Sequence, residues 1–326
     1  MVAPQDIFSI QTEIDFNRVA LKVFRFQFEN NPVYRSFCDL LLRHPSDVRN
    51  YWEIPFMPIQ FFKSHKVLVR DKTAEVTFYS SGTTHQGNSK HHVAELSLYE
   101  KSFQNGFQQF YGNIQDYVIL ALLPSYLEQE NSSLVYMVDK LIKSTNSPDS
   151  GFYLNNLEKL QEKIFQLEKQ NQKTLLIGVT YALLDLVEKY NFNLKNTIVM
   201  ETGGMKGRRK EITREELHKI LTDGFGVSSI HSEYGMTELL SQAYSKGDGL
   251  FKCSPWMKIL TRSVNDPFSI LDNDKTGGIN IIDLANLYSC SFLATQDLGK
   301  VNENGTFEVI GRFDQSDIRG CNLMVL

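Results

Sequence analysis

The chain has 326 residues, of which 42% are hydrophobic, 12% aromatic and 22% charged, with a formal net charge of -4. That composition is globular, and the length suits one large domain or two ordinary ones. A weakly acidic chain offers no electrostatic footprint for nucleic acid, and no stretch approaches the roughly 18 apolar residues that a membrane span needs.

The first 20 residues lack a basic segment followed by an apolar run, so no signal peptide is read. Residues 15–44 then show helical periodicity, with Phe16, Val19, Ala20, Val23, Phe24 and Phe28 on one face, broken by Pro32 into two helices. The segment 54–65 holds two prolines and reads as an extended, packed connection. A strand is predicted over 74–80 and a helix over 94–110.

Beyond these, buried strand and amphipathic helix alternate. YVILALLP (117–124), KTLLIGV (173–179) and NTIVMET (196–202) read as strands. SSLVYMVDKLIKS, NLEKLQEKIFQLEKQ and YALLDLVEKY read as helices. ITREELHKIL is a further helix, opened by Thr213 with Glu216 three residues on, as in a capping box. VSSIHSEYG returns to strand, and from about Trp256 the chain becomes β-rich with more turns. This alternation predicts α/β layers around a mostly parallel sheet. No internal repeat or low-complexity stretch interrupts it.

Cys38, Cys253, Cys290 and Cys321 are scattered without a C-x-x-C pair. Neither a zinc site nor a disulfide framework follows, and a reducing cytoplasm is favoured. The sequons at Asn131 and Asn304 are then chance matches. His91-His92 is a poor metal pair, because adjacent residues point in different directions. Asn131 or Ser132 reads as a helix N-cap.

Three loops could carry chemistry. In the first, a strand runs into Ser80, Ser81, Gly82, Thr83 and Thr84, with Gly87 and Lys90 following. Glycine and small hydroxyls allow close backbone approach to a polyphosphate, and a lysine can neutralise it. The bland alternative is a polar surface loop, and the spacing is not that of a Walker A motif. In the second, a strand leads into Tyr234, Gly235, Met236, Thr237 and Glu238. An aromatic ring can stack on a purine, a hydroxyl can reach a phosphate, and a carboxylate can hold Mg²⁺. Its alternative is a turn before a helix, with Glu238 as a first-turn acid. The third places Asp297 at the tip of a strand, where a carboxylate could accept ribose hydroxyls, with Arg312 after the next strand. Here the alternative is ordinary hairpin turns.

In this order SSGTT, YGMTE and QDLG followed by GRFD resemble the adenylate-forming superfamily of acyl-CoA synthetases, adenylation domains and luciferases. The resemblance runs from about Ile54 to Gly320. It implies an α/β fold like the large N-terminal domain of that superfamily, with layered sheets, helices and a β-rich C-terminal part. It also implies ATP and Mg²⁺ as cofactors. By this resemblance the 80–84 loop binds phosphates, and Gly203 and Gly204 line the adenine pocket. Tyr234, Gly235 and Met236 hold adenine and α-phosphate, Thr237 and Glu238 serve catalysis and Glu238 the metal, and Asp297 holds the ribose. Arg312 belongs to the segment leading into the superfamily's hinge.

Two departures refine the resemblance. His85–Ser89 separates Thr84 from Lys90, where the superfamily reads Thr-Gly-x-Pro-Lys. The sequence also ends soon after GRFD, so the expectation is a single domain over 1–326, with a helical part at 1–50 and a truncated hinge and tail at 311–326, lacking the small lid and its lysine. A short chain of this kind is similar to the LuxE-like acyl-protein synthetases, which supply fatty acid to a reductase. FMPIQFFKS and LLPSYLEQENSSLVYMV share that likeness. In that family a cysteine near the C-terminus accepts the acyl group, and Cys321 stands in that place.

The implied reaction is activation of a carboxylic acid, a fatty acid, to acyl-AMP and transfer to a thiol. Its partners would be the acid and an acyl-accepting reductase or carrier protein. Two other readings compete: a ligase acting on coenzyme A or a carrier protein, and a non-catalytic nucleotide-binding subunit.

Overall fold

The computed structural model describes residues 2–80, 87–124, 131–203 and 212–313. The described residues form two compact units, interleaved in sequence. One is built from those of Met1–Thr77, His85–Leu98 and Lys252–Leu326, the other from those of Phe78–Thr84 and Tyr99–Phe251.

The chain opens with helices α1 (Pro4–Phe8), α2 (Glu13–Asn30) and α3 (Pro32–Leu40). Thr12 caps α2 by accepting from the Asp15 amide. Asn31 ends α2 and caps α3, and Pro32 occupies the first turn, where a missing N–H costs nothing. A short strand β1 (Met57–Pro58) and a one-turn helix α4 (Phe61–Ser64) follow. The segment expected to be an extended, packed connection therefore includes a helical turn, whose N-cap is Gln60, two residues past the second proline. Next come β2 (Val76–Tyr79), β3 (Lys90–Val93), α5 (Leu96–Tyr111), β4 (Val118–Leu122), α6 (Ser133–Ser144), β5 (Gly151–Phe152) and α7 (Leu157–Lys169). They are followed by β6 (Thr174–Val179), α8 (Thr180–Lys189), β7 (Thr197–Thr202), α9 (Arg214–Phe225), β8 (His231–Tyr234) and β9 (Ala243–Ser245). The last elements are β10 (Phe251–Cys253), β11 (Met257–Arg262), β12 (Thr276–Asp283), β13 (Phe292–Val301) and β14 (Phe307–Arg312).

In the second unit β5, β4, β6, β7 and β8 lie side by side and parallel, with β9 antiparallel on β8. All residues of β4 and β6 are buried. Continuous apolar runs of this kind belong to strands covered on both faces, so these strands show no alternation. Gly178 stands opposite Leu122, and a Cβ there would meet the Leu122 Cβ at 2.8 Å. Thr213 caps α9 by accepting from the Glu216 amide, and Gly226 ends it at φ +65°, the left-handed conformation glycine adopts without penalty. Ser132, one of the two cap candidates, caps α6.

In the first unit β11, β12, β13 and β14 form an antiparallel meander, and β1 joins β13 in parallel through Met57 and Leu293. Helix α2 packs here through Phe24, whose ring meets Phe292 edge-on at 6.1 Å. Gln27 is fully buried in the same interface. Its Nε2 lies 3.0 Å from the Asn286 carbonyl and 2.8 Å from that of Leu287, and its Oε1 accepts from the Ser291 amide at 3.0 Å. Asn31 adds a bond to the Ser289 carbonyl.

Gln27→Leu keeps the shape but orphans these buried groups. The unfolding free energy measured in urea should fall by about 2–4 kcal/mol. An unchanged denaturation midpoint would mean that the helix docks by apolar contact alone.

Candidate functional site

Parallel strands place their C-terminal ends along one edge, where open α/β sheets bind ligands. In the second unit Thr202 ends β7 and pairs in register with Glu233 of β8. The glycine turn after β7 and the Tyr-Gly-Met-Thr-Glu turn after β8 therefore start as neighbours. Gly203 has φ +49°, which turns the chain sharply off the strand. Gly204 lies outside the described residues, as do Ser81, Gly82, Thr83, Thr84 and Cys321. Ser80 follows β2 and is partly buried, and the preceding Tyr79 amide donates to the Asn131 carbonyl at 2.8 Å.

Tyr234 is half-buried, its ring edge-on to Phe251 at 5.9 Å. Gly235, Met236 and Thr237 are also partly open, whereas Glu238 is buried. The segment after Tyr234 is a turn closed by the Leu239 amide on the Met236 carbonyl, and it runs on into β9 without a helix. This corrects the alternative of a strand-to-helix turn, and with it the role of Glu238 as a helix first-turn acid. The chain turns back at once, so that β9 pairs antiparallel with β8 through Tyr234 and Ala243.

Glu233 is the carboxylate that sequence reasoning passed over. Thr202 Oγ1 donates to its Oε2 at 2.6 Å. A Cβ on Gly235 would come within 2.4 Å of its Oε1, so the glycine makes room for the carboxylate. Burial pushes the Glu233 carboxyl up to about 7; the Thr202 bond pulls it down and the nearby Glu201 charge pushes it further up. Glu201 itself lies 3.7 Å from His218 Nε2, which is 3.4 Å from Ser232 Oγ. His231, the first residue of β8, contacts the Tyr111 hydroxyl through Nδ1 at 3.2 Å. Burial, and then Lys246, hold its imidazole down at about 4, so it is neutral at neutral pH. Gln242 Oε1 is buried without a hydrogen-bond partner among the described residues.

In the first unit Asp297 lies inside β13, not at its tip, because β13 bulges there and continues to Val301. Its Oδ1 is 3.4 Å from Arg312 Nε, and Arg312 ends β14 with its side chain largely in solvent. The neighbouring Arg262 is buried, and sequence reasoning gave no sign of it. Lys90 opens β3 and is exposed. His91 Nε2 meets Asn286 Oδ1 at 3.0 Å, and His92 Nδ1 meets Thr77 Oγ1 at 2.9 Å. The two imidazoles thus face different partners. No helix among the described residues is long and apolar enough to cross a membrane.

The acyl-protein synthetase family LuxE matches residues 4–326. The chain belongs to that family. A relative from Vibrio harveyi, named long-chain-fatty-acid--luciferin-component ligase, is 25% identical over 94% of this chain and 86% of its own. Among solved structures, an open conformation of 2-hydroxyisobutyryl-CoA ligase with 2-HIB-AMP and CoA aligns with a TM-score of 0.68 at 12% identity, over 93% of this chain and 75% of that one. ATP-bound MatB from Rhodopseudomonas palustris aligns with a TM-score of 0.55 at 17% identity, over 72% of this chain. The chain spans about half of MatB's length, 47%. At these identities the two structures establish the adenylate-forming fold for this LuxE-family chain, and no more than the fold.

Glu233 gives this region a pH signature. Its folded value near 7, against an ordinary 4.5, makes its contribution to stability full below 4.5 and lost as pH rises through 7. His231 works oppositely: its contribution is full above 6.5 and lost as pH falls through 4. Unfolding free energies of wild type and Glu233→Gln, compared from about pH 5 to pH 8, isolate the first effect. The wild type should lose stability relative to the variant as pH rises. Parallel curves would place Glu233 in a wetter setting than its burial implies.

Proposed function

We propose that this chain activates a long-chain fatty acid with ATP to form an acyl-AMP, and passes the acyl group to a thiol. The observation that carries the reading is the adjacency, on paired strand ends, of the Gly203 turn and the Tyr234–Glu238 turn in a LuxE-family chain. The name of the Vibrio harveyi relative supports the choice of acid.

A carboxylate is a poor electrophile. Its oxygen attacks the α-phosphorus of ATP, the bond to the β-phosphate bridge breaks, and pyrophosphate leaves. Aligning two anions and neutralising their charge is the protein's main task. Tyr234, half-buried beside two glycine turns, offers a face for adenine. Thr237 and Met236 lie on the partly open stretch of the turn and would reach the α-phosphate. Asp297 accepts the ribose hydroxyls, with Arg312 beside it. The 80–84 loop and Lys90 take the outer phosphates. Glu238 and the Thr237 hydroxyl are hard oxygen donors of the type Mg²⁺ accepts, and one carboxylate suffices where phosphates and water complete the shell. Bound there, Mg²⁺ would offset phosphate charge.

A thiolate then attacks the acyl carbon and AMP leaves. Burial raises the described thiols: Cys38 and Cys253 are pushed up to about 12, and Cys290 is raised as well. Such thiols are poor nucleophiles at neutral pH. Cys321, near the end of the sequence, is the proposed acceptor, in a reducing cytoplasm that keeps it free. An acyl-accepting reductase or carrier protein would take the group onward.

ATP–pyrophosphate exchange with a panel of acids tests the first step. Asp297→Ala should weaken ATP by about 2–4 kcal/mol, the value of hydrogen bonds to a charged acceptor. Thr237→Ala and Glu238→Ala should mainly lower the exchange rate. Normal exchange in all three variants would remove these loops from catalysis.

The second step is read with radiolabelled fatty acid. Cys321→Ser should keep exchange and lose the hydroxylamine-sensitive label on the protein. Label retained with unchanged sensitivity would mean another thiol is acylated. An unlabelled wild type that forms acyl-CoA rapidly would instead favour transfer to coenzyme A.

A further inference from the structure

The pairing of β12 with β13 breaks at one place. Gly278 faces Leu298 and Asn280 faces Ala294, so the single residue Ile279 stands against Thr295, Gln296 and Asp297. A bulge of this size leaves backbone groups without their ladder partners inside a buried sheet, where each would be costly. Arg262, the last residue of β11, supplies the missing bonds. Its Nη2 donates to the Thr295 carbonyl at 2.6 Å and its Nη1 to the Ile279 carbonyl at 2.8 Å. Nη1 also reaches Asn280 Oδ1 at 2.8 Å. Thr295 Oγ1 donates to the same Ile279 carbonyl at 2.9 Å and accepts from the Asp297 amide at 3.1 Å. The Gln296 carbonyl accepts from the Phe313 amide at 2.7 Å.

We infer that Arg262 is a positioning residue, which fixes the bulge so that the Asp297 carboxylate is presented to the ribose of the bound nucleotide. The inference rests on the reading of Asp297 as the ribose acceptor. Two further observations support it. A Cβ on Gly278 would lie 2.7 Å from Arg262 Cζ, so this glycine keeps the guanidinium's place open. Asp297 and Arg262 also sense each other's charge. Burial lowers the guanidinium's pKa and the Asp297 charge opposes that fall. A lysine could not replace it, because a point charge cannot bond two carbonyls in a fixed fork. Asn280 Nδ2 is buried without a hydrogen-bond partner among the described residues, so this side chain relies on Arg262 for its pairing.

The test compares ATP with 2′-deoxy-ATP and 3′-deoxy-ATP in pyrophosphate exchange, using the full chain and a long-chain fatty acid. Wild type should prefer ATP. Arg262→Lys should reduce the ATP-to-deoxy ratio of kcat/KM by about tenfold or more, mainly through the KM for ATP. The KM for the acid should stay unchanged. Thr295→Val removes one donor and one acceptor at the bulge without touching the buried charge. It should move the ratio the same way by a smaller factor, and it decides the matter if Arg262→Lys fails to fold. A scaffold role alone would depress all nucleotides equally and leave the ratio intact. Asp297→Ala sets the floor. If it keeps the wild-type ratio, the ribose assignment fails and the inference falls with it. If Asp297→Ala abolishes the preference while folded Arg262→Lys and Thr295→Val retain it, the ribose reading stands and the role of Arg262 is overturned.

Discussion

Parallel pairing of β6, β7 and β8 is the constraint on which the second unit depends. Evenly spaced ladder bonds hold these strands in register, and the apolar run of β6 is buried throughout. The alignment of Thr202 with Glu233 follows from that register. The chain then leaves these two strands at neighbouring points, Gly203 and Gly235. The same pairing draws Glu233 into the interior, where only the Thr202 hydroxyl gives it a short bond among the described contacts. A carboxyl so placed holds its proton to higher pH, because the charged form has lost its water.

Two carboxylates, one in each unit, stand in different surroundings. Glu233 is desolvated with Glu201 nearby, and both push toward the neutral acid. Asp297 has Arg312 Nε 3.4 Å from its Oδ1 and the buried guanidinium of Arg262 on the neighbouring bulge. Neither environment is local in sequence. Thr202 is 31 residues from Glu233, and Arg262 approaches from a different strand.

The β-rich unit is stabilised differently. Its helix α2 is anchored to the β12–β13 connection by the buried amides of Gln27 and Asn31. Amide side chains can serve irregular backbone there because they donate and accept together. The bulge in β13 uses the same device with an arginine.

The sequence by itself determined the long, strongly patterned elements. Helical periodicity and Pro32 gave α2 and α3, and the unbroken apolar runs gave β4, β6 and β7, because local sterics and the pattern of burial act over a few residues. It also named the residue types in the three loops, and their order carried the family. It did not determine the path of the chain after Tyr234, since a glycine turn suits a helix or a strand equally; the pairing of β9 with β8 decided that. It placed Asp297 at a strand tip, because a bulge is the outcome of two strands meeting out of step and leaves no pattern along one of them. The sequence singled out neither Glu233 nor Arg262. Only the tertiary structure decided that both are buried and whom they face, because burial and partnership are properties of neighbours distant in the chain.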